Sequence, residues 1–93
     1  MRRRVVITGM GCITPVGNTV EAMWQSLQAG RSGIGPITAF DATGFPTTFA
    51  SEVKQFKLSD YVDDAERFAY SGKNIRFAIG AARQAVNDAG IAE

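Results

Sequence analysis

Few side chains in this chain could do chemistry. Cys12 is its single thiol, and it has no histidine. A nucleophilic thiol needs a base or a positive setting to lower its pKa. No imidazole can play that part, and the nearest cations, Arg2, Arg3 and Arg4, lie beyond an apolar run. Ser-His-Asp and Cys-His arrangements are excluded, as are metal sites built on histidine or on several cysteines. Cys12 reads as a buried, inert thiol beside Gly11 and Ile13. Ser71 and Lys73 form a nucleophile–lysine pair, but residues i and i+2 on a helix point apart. Asp60, Asp63, Asp64 and Glu66 do not follow calcium-loop spacing. They read as acidic residues favouring a helix start through its dipole.

Two glycine motifs suggest phosphate binding and fail on detail. Gly9-Met10-Gly11 follows an apolar run, but a dinucleotide fingerprint needs its third glycine at position 14, which is Thr14. Pro15 follows, and a helix begins only near residue 19. A pyrophosphate would then miss the helix N-terminus, which is the physical point of the motif. Gly72-Lys73 lacks the earlier glycine of a phosphate loop, where Arg67 stands, and carries Asn74 where a Ser or Thr would hold magnesium. No catalytic, cofactor-binding or metal-ligating residue is assigned, and no cofactor is expected.

These residues sit on a short series of elements. Val5, Val6 and Ile7 form a continuous β-branched run across residues 3–8. Such a run suits a strand buried on both faces in a layered α/β protein. A helix is expected over 19–29, with Asn18 as N-cap and Glu21 at capping-box spacing. Val20, Met23, Trp24 and Leu27 form its core-facing stripe, and Gly30 stops it. Residues 30–48 read as an ordered loop pinned down by Ile34, Ile37, Phe40 and Phe45. A short strand is expected over 49–53. The last third is helical, its stripe running through Ala65, Phe68, Gly72, Ile75, Ile79, Ala82, Val86 and Ala89. A break is expected at Ser71-Gly72, with Ser71 capping a main helix over 72–89 and Gly90 ending it. A parallel α/β fold would continue with a strand after that helix, so the chain reads as part of something larger.

The 93 residues are 45% hydrophobic and 20% charged, with a net charge of +1. That describes one small folded domain at most. It gives no electrostatic case for nucleic acid. No apolar run approaches the roughly 20 residues of a membrane helix. Met1-Arg2-Arg3-Arg4 followed by Val5-Val6-Ile7 imitates a secretory signal, but Thr8, Gly9 and Gly11 break the apolar stretch and no clean cleavage site follows. A single cysteine suggests no disulfide-stapled, secreted domain. A cytoplasmic location is expected.

One resemblance extends this reading. Arg3-Arg4-Val5-Val6-Ile7-Thr8-Gly9-Met10-Gly11, continuing through Thr14-Pro15-Val16-Gly17-Asn18, resembles the opening of elongating β-ketoacyl-acyl-carrier-protein synthases. Trp24-Gln25-Ser26-Leu27-Gln28-Ala29-Gly30 and Arg31-Ser32-Gly33-Ile34 resemble that family's first helix and following loop. Phe40-Asp41, Phe45-Pro46, Phe49-Ala50, Val53 and Phe56 resemble the next segment. Ala81-Ala82, Ala85 and Asp88-Ala89-Gly90 resemble the end of the next helix. The likeness covers essentially the whole chain.

The resemblance implies an α/β class: the N-terminal part of a thiolase-like layered α/β fold, incomplete in this chain. It implies residues 1–93 as a partial β-ketoacyl synthase N-terminal domain. The family elongates acyl chains by decarboxylating Claisen condensation with malonyl-acyl carrier protein. Its nucleophilic cysteine and two histidines lie beyond the region matched, so Cys12 is not that nucleophile. The 93 residues alone are expected to be inactive. The implied partners are acyl carrier protein and, for full-length members, a second copy in a homodimer; no nucleic acid or membrane partner is implied. Relatives often carry a basic cluster where this chain reads 63–72 with Arg67 as its one cation, which weakens carrier docking there. The alternative is a non-catalytic module that docks on a complete or split ketosynthase.

Overall fold

A computed structural model describes residues 2–91. The described chain comprises helix α1 (Val20–Gln28), strands β1 (Ile34–Pro36) and β2 (Phe49–Ser51), two 3-10 turns (Leu58–Asp60 and Ala65–Phe68) and helix α2 (Lys73–Ala89). It divides into two compact units. One runs from Ile13 to Phe56, and the other joins the segment up to Cys12 with the chain from Lys57 onward.

In the unit from Ile13 to Phe56, α1 starts one residue later than expected. Thr19, not Asn18, is the N-cap: it is extended (φ −141°), and its hydroxyl accepts the Ala22 N–H at 3.0 Å. The Asn18 side chain instead donates to the Lys54 carbonyl at 2.8 Å. Gly30 ends the helix as expected. It adopts φ +69°, and the N–H groups of Gly30 and Arg31 bond back to Leu27 and Ser26, which satisfies the last carbonyls.

The expected inward stripe of α1 holds for Val20 and Met23, which are half-buried, and is corrected for the rest. Trp24 is 57% exposed and Leu27 is similarly open, while Ser26 is the buried residue of the helix. The Ser26 hydroxyl donates to the Val16 carbonyl at 2.6 Å. Val16 sits in the turn closed by Thr14 and Gly17, whose backbones exchange hydrogen bonds at 2.9 and 3.2 Å. A small hydroxyl side chain lets helix and turn approach. A unit this small has too little partner surface to cover a tryptophan as well.

Residues 30–48 are not all loop, because β1 lies inside them. It pairs antiparallel with β2 in the register Ile34↔Ser51, Gly35↔Ala50 and Pro36↔Phe49. A two-stranded ribbon has only edge strands, which is where proline is tolerated. The expected strand over 49–53 is shortened to Phe49–Ser51 because Glu52 and Lys54 turn to other tasks. Of the expected anchors, only Ile37 is half-buried; Ile34, Phe40 and Phe45 stay more than half exposed. Phe40 and Phe45 meet in a tilted pair, their ring centres 5.5 Å apart and their planes at 46°. Ala42 is the buried residue of this loop.

In the other unit, α2 matches its expected limits closely, and Gly90 caps it with φ +72°. The break before it also holds. However, Gly72 is the N-cap, while the Ser71 N–H bonds back to Phe68 and closes the preceding 3-10 turn. The inward face of α2 holds in part: Ile79, Val86 and Ala89 of the expected stripe are half-buried, whereas its Ile75 and Ala82 are exposed, and Gly80 is buried with Ala81, Gln84 and Ala85 half-buried beside it. The reason lies in Gly9 and Gly11. A Cβ on Gly9 would stand 2.6 Å from the Ala89 nitrogen, and one on Gly11 2.9 Å from the Ala85 nitrogen. Backbone packs on backbone here, which only small residues permit. Leu58, in a 3-10 turn that packs on α2, is buried.

Residues 3–8 form no strand in the described chain, and Val5 and Ile7 are 94% and 85% exposed. The expected burial on both faces is therefore absent, because no neighbouring strand is present to pair with them.

Candidate functional site

The most constrained polar arrangement is where residues 9–12 meet α2. The Gln84 carboxamide meets the Cys12 backbone twice, accepting the Cys12 N–H at 3.4 Å and donating to the Cys12 carbonyl at 3.2 Å. One turn further along the helix, Asp88 accepts the Met10 N–H at 3.0 Å. A carboxamide that accepts from an N–H and donates to a C=O repeats the bonding of a neighbouring strand. Residues four apart lie on one helical face, so Gln84 and Asp88 address the same stretch of backbone.

Cys12 sits half-buried in this arrangement, and loss of solvent pushes its thiol above the ordinary value. That is the opposite of what an activated nucleophile needs. The thiol, expected to be buried, is only half-buried.

The other candidates are not assembled into a site. Ser71 belongs to the turn closed on Phe68, and Lys73 is exposed at the first position of α2. Asp64 accepts a bond from Arg67 at 2.9 Å, and that bond holds its carboxyl below the usual range. Arg67 also lies over the Phe68 ring, 5.6 Å from its centre. Asp60 is the last residue of the three-residue 3-10 turn, Asp64 precedes the second 3-10 turn without a side-chain capping bond, and α2 has no acidic residue in its first turn, so the helix-start reading of these carboxylates is corrected. Among the described residues, no group of three or more carboxylates and thiols is placed to hold a metal ion. Gly9 and Gly11 serve close packing on α2.

Sequence reasoning missed three polar anchors. Gln84 was one. Lys54 donates to the carbonyls of Pro15, Gly33 and Glu52 at 3.3, 3.3 and 3.0 Å. Glu52 accepts from the Thr38 hydroxyl at 2.8 Å and from the Thr38 and Ala39 N–H groups at 3.1–3.2 Å. Apart from the Lys54–Glu52 bond, two residues apart, these pairings are long-range, and no local spacing marks them. An open groove of about 330 Å³ is lined by Val62, Ile79, Ala82, Arg83 and Val86.

Residues 2–93 match the family model for the N-terminal domain of β-ketoacyl synthases. The chain belongs to that family. It is 48% identical over 90 residues to 3-oxoacyl-(acyl-carrier-protein) synthase 2 of Coxiella burnetii, covering 97% of this chain and 22% of that one. The corresponding synthase of Synechocystis is 46% identical over 93 residues, at 95% and 21% coverage. Among solved structures, the ishigamide ketosynthase/chain length factor superposes with a TM-score of 0.83 at 43% identity, covering all of this chain and 23% of that one. The fold is thus the N-terminal part of a layered ketosynthase α/β fold. The chain spans about a fifth of the length of these relatives. No described helix is long and apolar enough to cross a membrane.

Proposed function

We propose that this chain serves as the N-terminal part of an elongating ketosynthase, a cytoplasmic enzyme that joins an acyl group to malonyl-acyl carrier protein with loss of carbon dioxide. The observation that carries the reading is the superposition of the whole chain on a ketosynthase at a TM-score of 0.83 and 43% identity. In this reading residues 1–93 are a partial N-terminal domain that supplies scaffold. The acyl-bearing thiol and the proton-handling imidazoles come from outside these residues, which hold no histidine and a thiol whose ionisation burial disfavours. The partners are acyl carrier protein and, in the complete enzyme, a second copy of it. The carrier docks away from residues 63–72, since the cation there, Arg67, is already engaged by Asp64.

The test joins these 93 residues to the Coxiella burnetii synthase in place of the region they match. The fused protein is expected to condense acyl groups with malonyl-acyl carrier protein, and the 93 residues alone are expected not to. A folded but inactive fusion, with the 93 residues instead binding saturably to an intact ketosynthase, would establish the docking-module alternative.

A further inference from the structure

Lys54 joins three separate stretches of the unit from Ile13 to Phe56. Its ammonium donates to the carbonyls of Pro15, Gly33 and Glu52 at 3.3, 3.3 and 3.0 Å. An ammonium has three protons to give, and these three oxygens take them. Pro15 lies in the turn closed by Thr14 and Gly17, Gly33 immediately precedes β1, and Glu52 immediately follows β2. Ile34 and Ser51 are partners in the ribbon, so Gly33 and Glu52 stand together at its open end. The turn reaches that end closely, since a Cβ on Gly33 would come within 2.9 Å of the Pro15 Cβ. The backbone of Lys54 is held as well, its carbonyl accepting from the Asn18 side chain at 2.8 Å. The Glu52 carboxylate is turned to Thr38 and Ala39. The ammonium is therefore bound by neutral oxygens.

We propose that the Pro15, Gly33 and Glu52 carbonyls form a binding site for a weakly hydrated monovalent cation (ammonium, a primary alkylammonium or potassium), and that Lys54 is its tethered occupant. Carbonyl oxygens replace the hydration shell of potassium in selectivity filters. The spacing excludes the common divalent ions. Calcium takes oxygens at about 2.3–2.6 Å and magnesium at about 2.0–2.1 Å, and both call on carboxylates. Here the oxygens stand 3.0–3.3 Å from the nitrogen they surround. The positive charge offsets three carbonyl dipoles whose negative ends converge. A side chain that leaves the cage exposes those ends to one another, and a free cation of similar size and charge takes its place. The site is complete within residues 15–54 and stands apart from the ketosynthase reading.

Lys54→Ala and Lys54→Met test this, read by hydrogen exchange at the Thr14 and Gly17 amides, which bond to each other's carbonyls across the turn. Alanine empties the cage, whereas methionine removes the charge and keeps a long, adaptable side chain in place. In sodium or N-methylglucamine chloride, both variants are expected to exchange at least about 10-fold faster at these amides than the unaltered chain. At equal ionic strength, ammonium, methylammonium or potassium chloride is expected to return Lys54→Ala to within about 3-fold of the unaltered chain and to leave Lys54→Met fast. Restoration of Lys54→Ala by none of these three salts would overturn the proposal. Equal restoration by sodium or N-methylglucamine would do the same, as would equal restoration of both variants or unchanged exchange in Lys54→Ala in every salt. Should Lys54→Ala not fold in any salt, the ammonium protons of the unaltered chain decide. Exchange of the Lys54 Nζ protons with water at least about 10-fold slower than at Lys73, which is exposed at the start of α2, supports the tethered occupant, and exchange at the same rate overturns it.

Discussion

Gln84 is bonded to both backbone polar groups of Cys12, its N–H at 3.4 Å and its carbonyl at 3.2 Å. The contact places a side-chain amide where a strand neighbour would stand. Replacing Gln84 by alanine leaves two part-buried backbone groups without it. A loss of about 1–2 kcal/mol in urea unfolding is expected, with faster amide exchange at Cys12. Gln84→Glu keeps the acceptor and removes the donor, so a smaller loss is expected at neutral pH.

Gly11 packs its backbone against α2, where a Cβ would overlap the Ala81 carbonyl and come within 2.6 Å of the Gln84 Cβ. Gly11→Ala is therefore expected to destabilise by about 1–3 kcal/mol through overpacking. Gly35 is the matched control, since nothing lies within 4 Å of its added Cβ. Gly35→Ala should leave the unfolding midpoint nearly unchanged. Equal effects of the two substitutions would contradict the packing described.

Ser26 is the buried polar side chain of α1, and its hydroxyl donates to the Val16 carbonyl at 2.6 Å. Ser26→Ala removes the donor and leaves that carbonyl part-buried. A cost of about 1–2 kcal/mol is expected in the same unfolding measurement. Trp24→Gln, on the exposed side of the same helix, should cost less in the 93-residue chain.

Glu52 carries the acid-sensitive contact of the β1–β2 unit. The Thr38 hydroxyl, followed by the Thr38 N–H, holds its carboxyl below the usual range. A depressed folded-state pKa means that the contribution is complete above the unfolded value, ordinarily about 4.3 for glutamate. It is lost as pH falls through the lower folded value. Exchange at the Thr38 and Ala39 amides, after correction for the intrinsic rate, should rise across that acidic window. Glu52→Gln should abolish that dependence.

What the sequence determined by itself was local or cumulative. The ends of α2 followed from its periodicity and from Gly90, whose left-handed cap needs no tertiary partner. The stop at Gly30 followed for the same reason. The lack of histidine excluded whole classes of chemistry before any fold was known. The ordered series of short motifs along the chain was enough to indicate the ketosynthase family. Tertiary structure decided the rest, because it turns on partners far apart in the chain. Gln84 and Cys12 are 72 residues apart, and Asn18 and Lys54 are 36 apart. Hydrogen bonding across such gaps drew Asn18 away from the N-cap and left Thr19 to take it. The helix stripes held only in part for a related reason: periodicity tells which residues share a face, but not whether anything covers it. On α1 the covered residue is Ser26, because a turn approaches closely there, while Trp24 stays open. On α2 the small residues face inward because Gly9 and Gly11 bring backbone against them. Val5 to Ile7 have the composition of an interior strand, but burial is a property of neighbours, and the described chain supplies none.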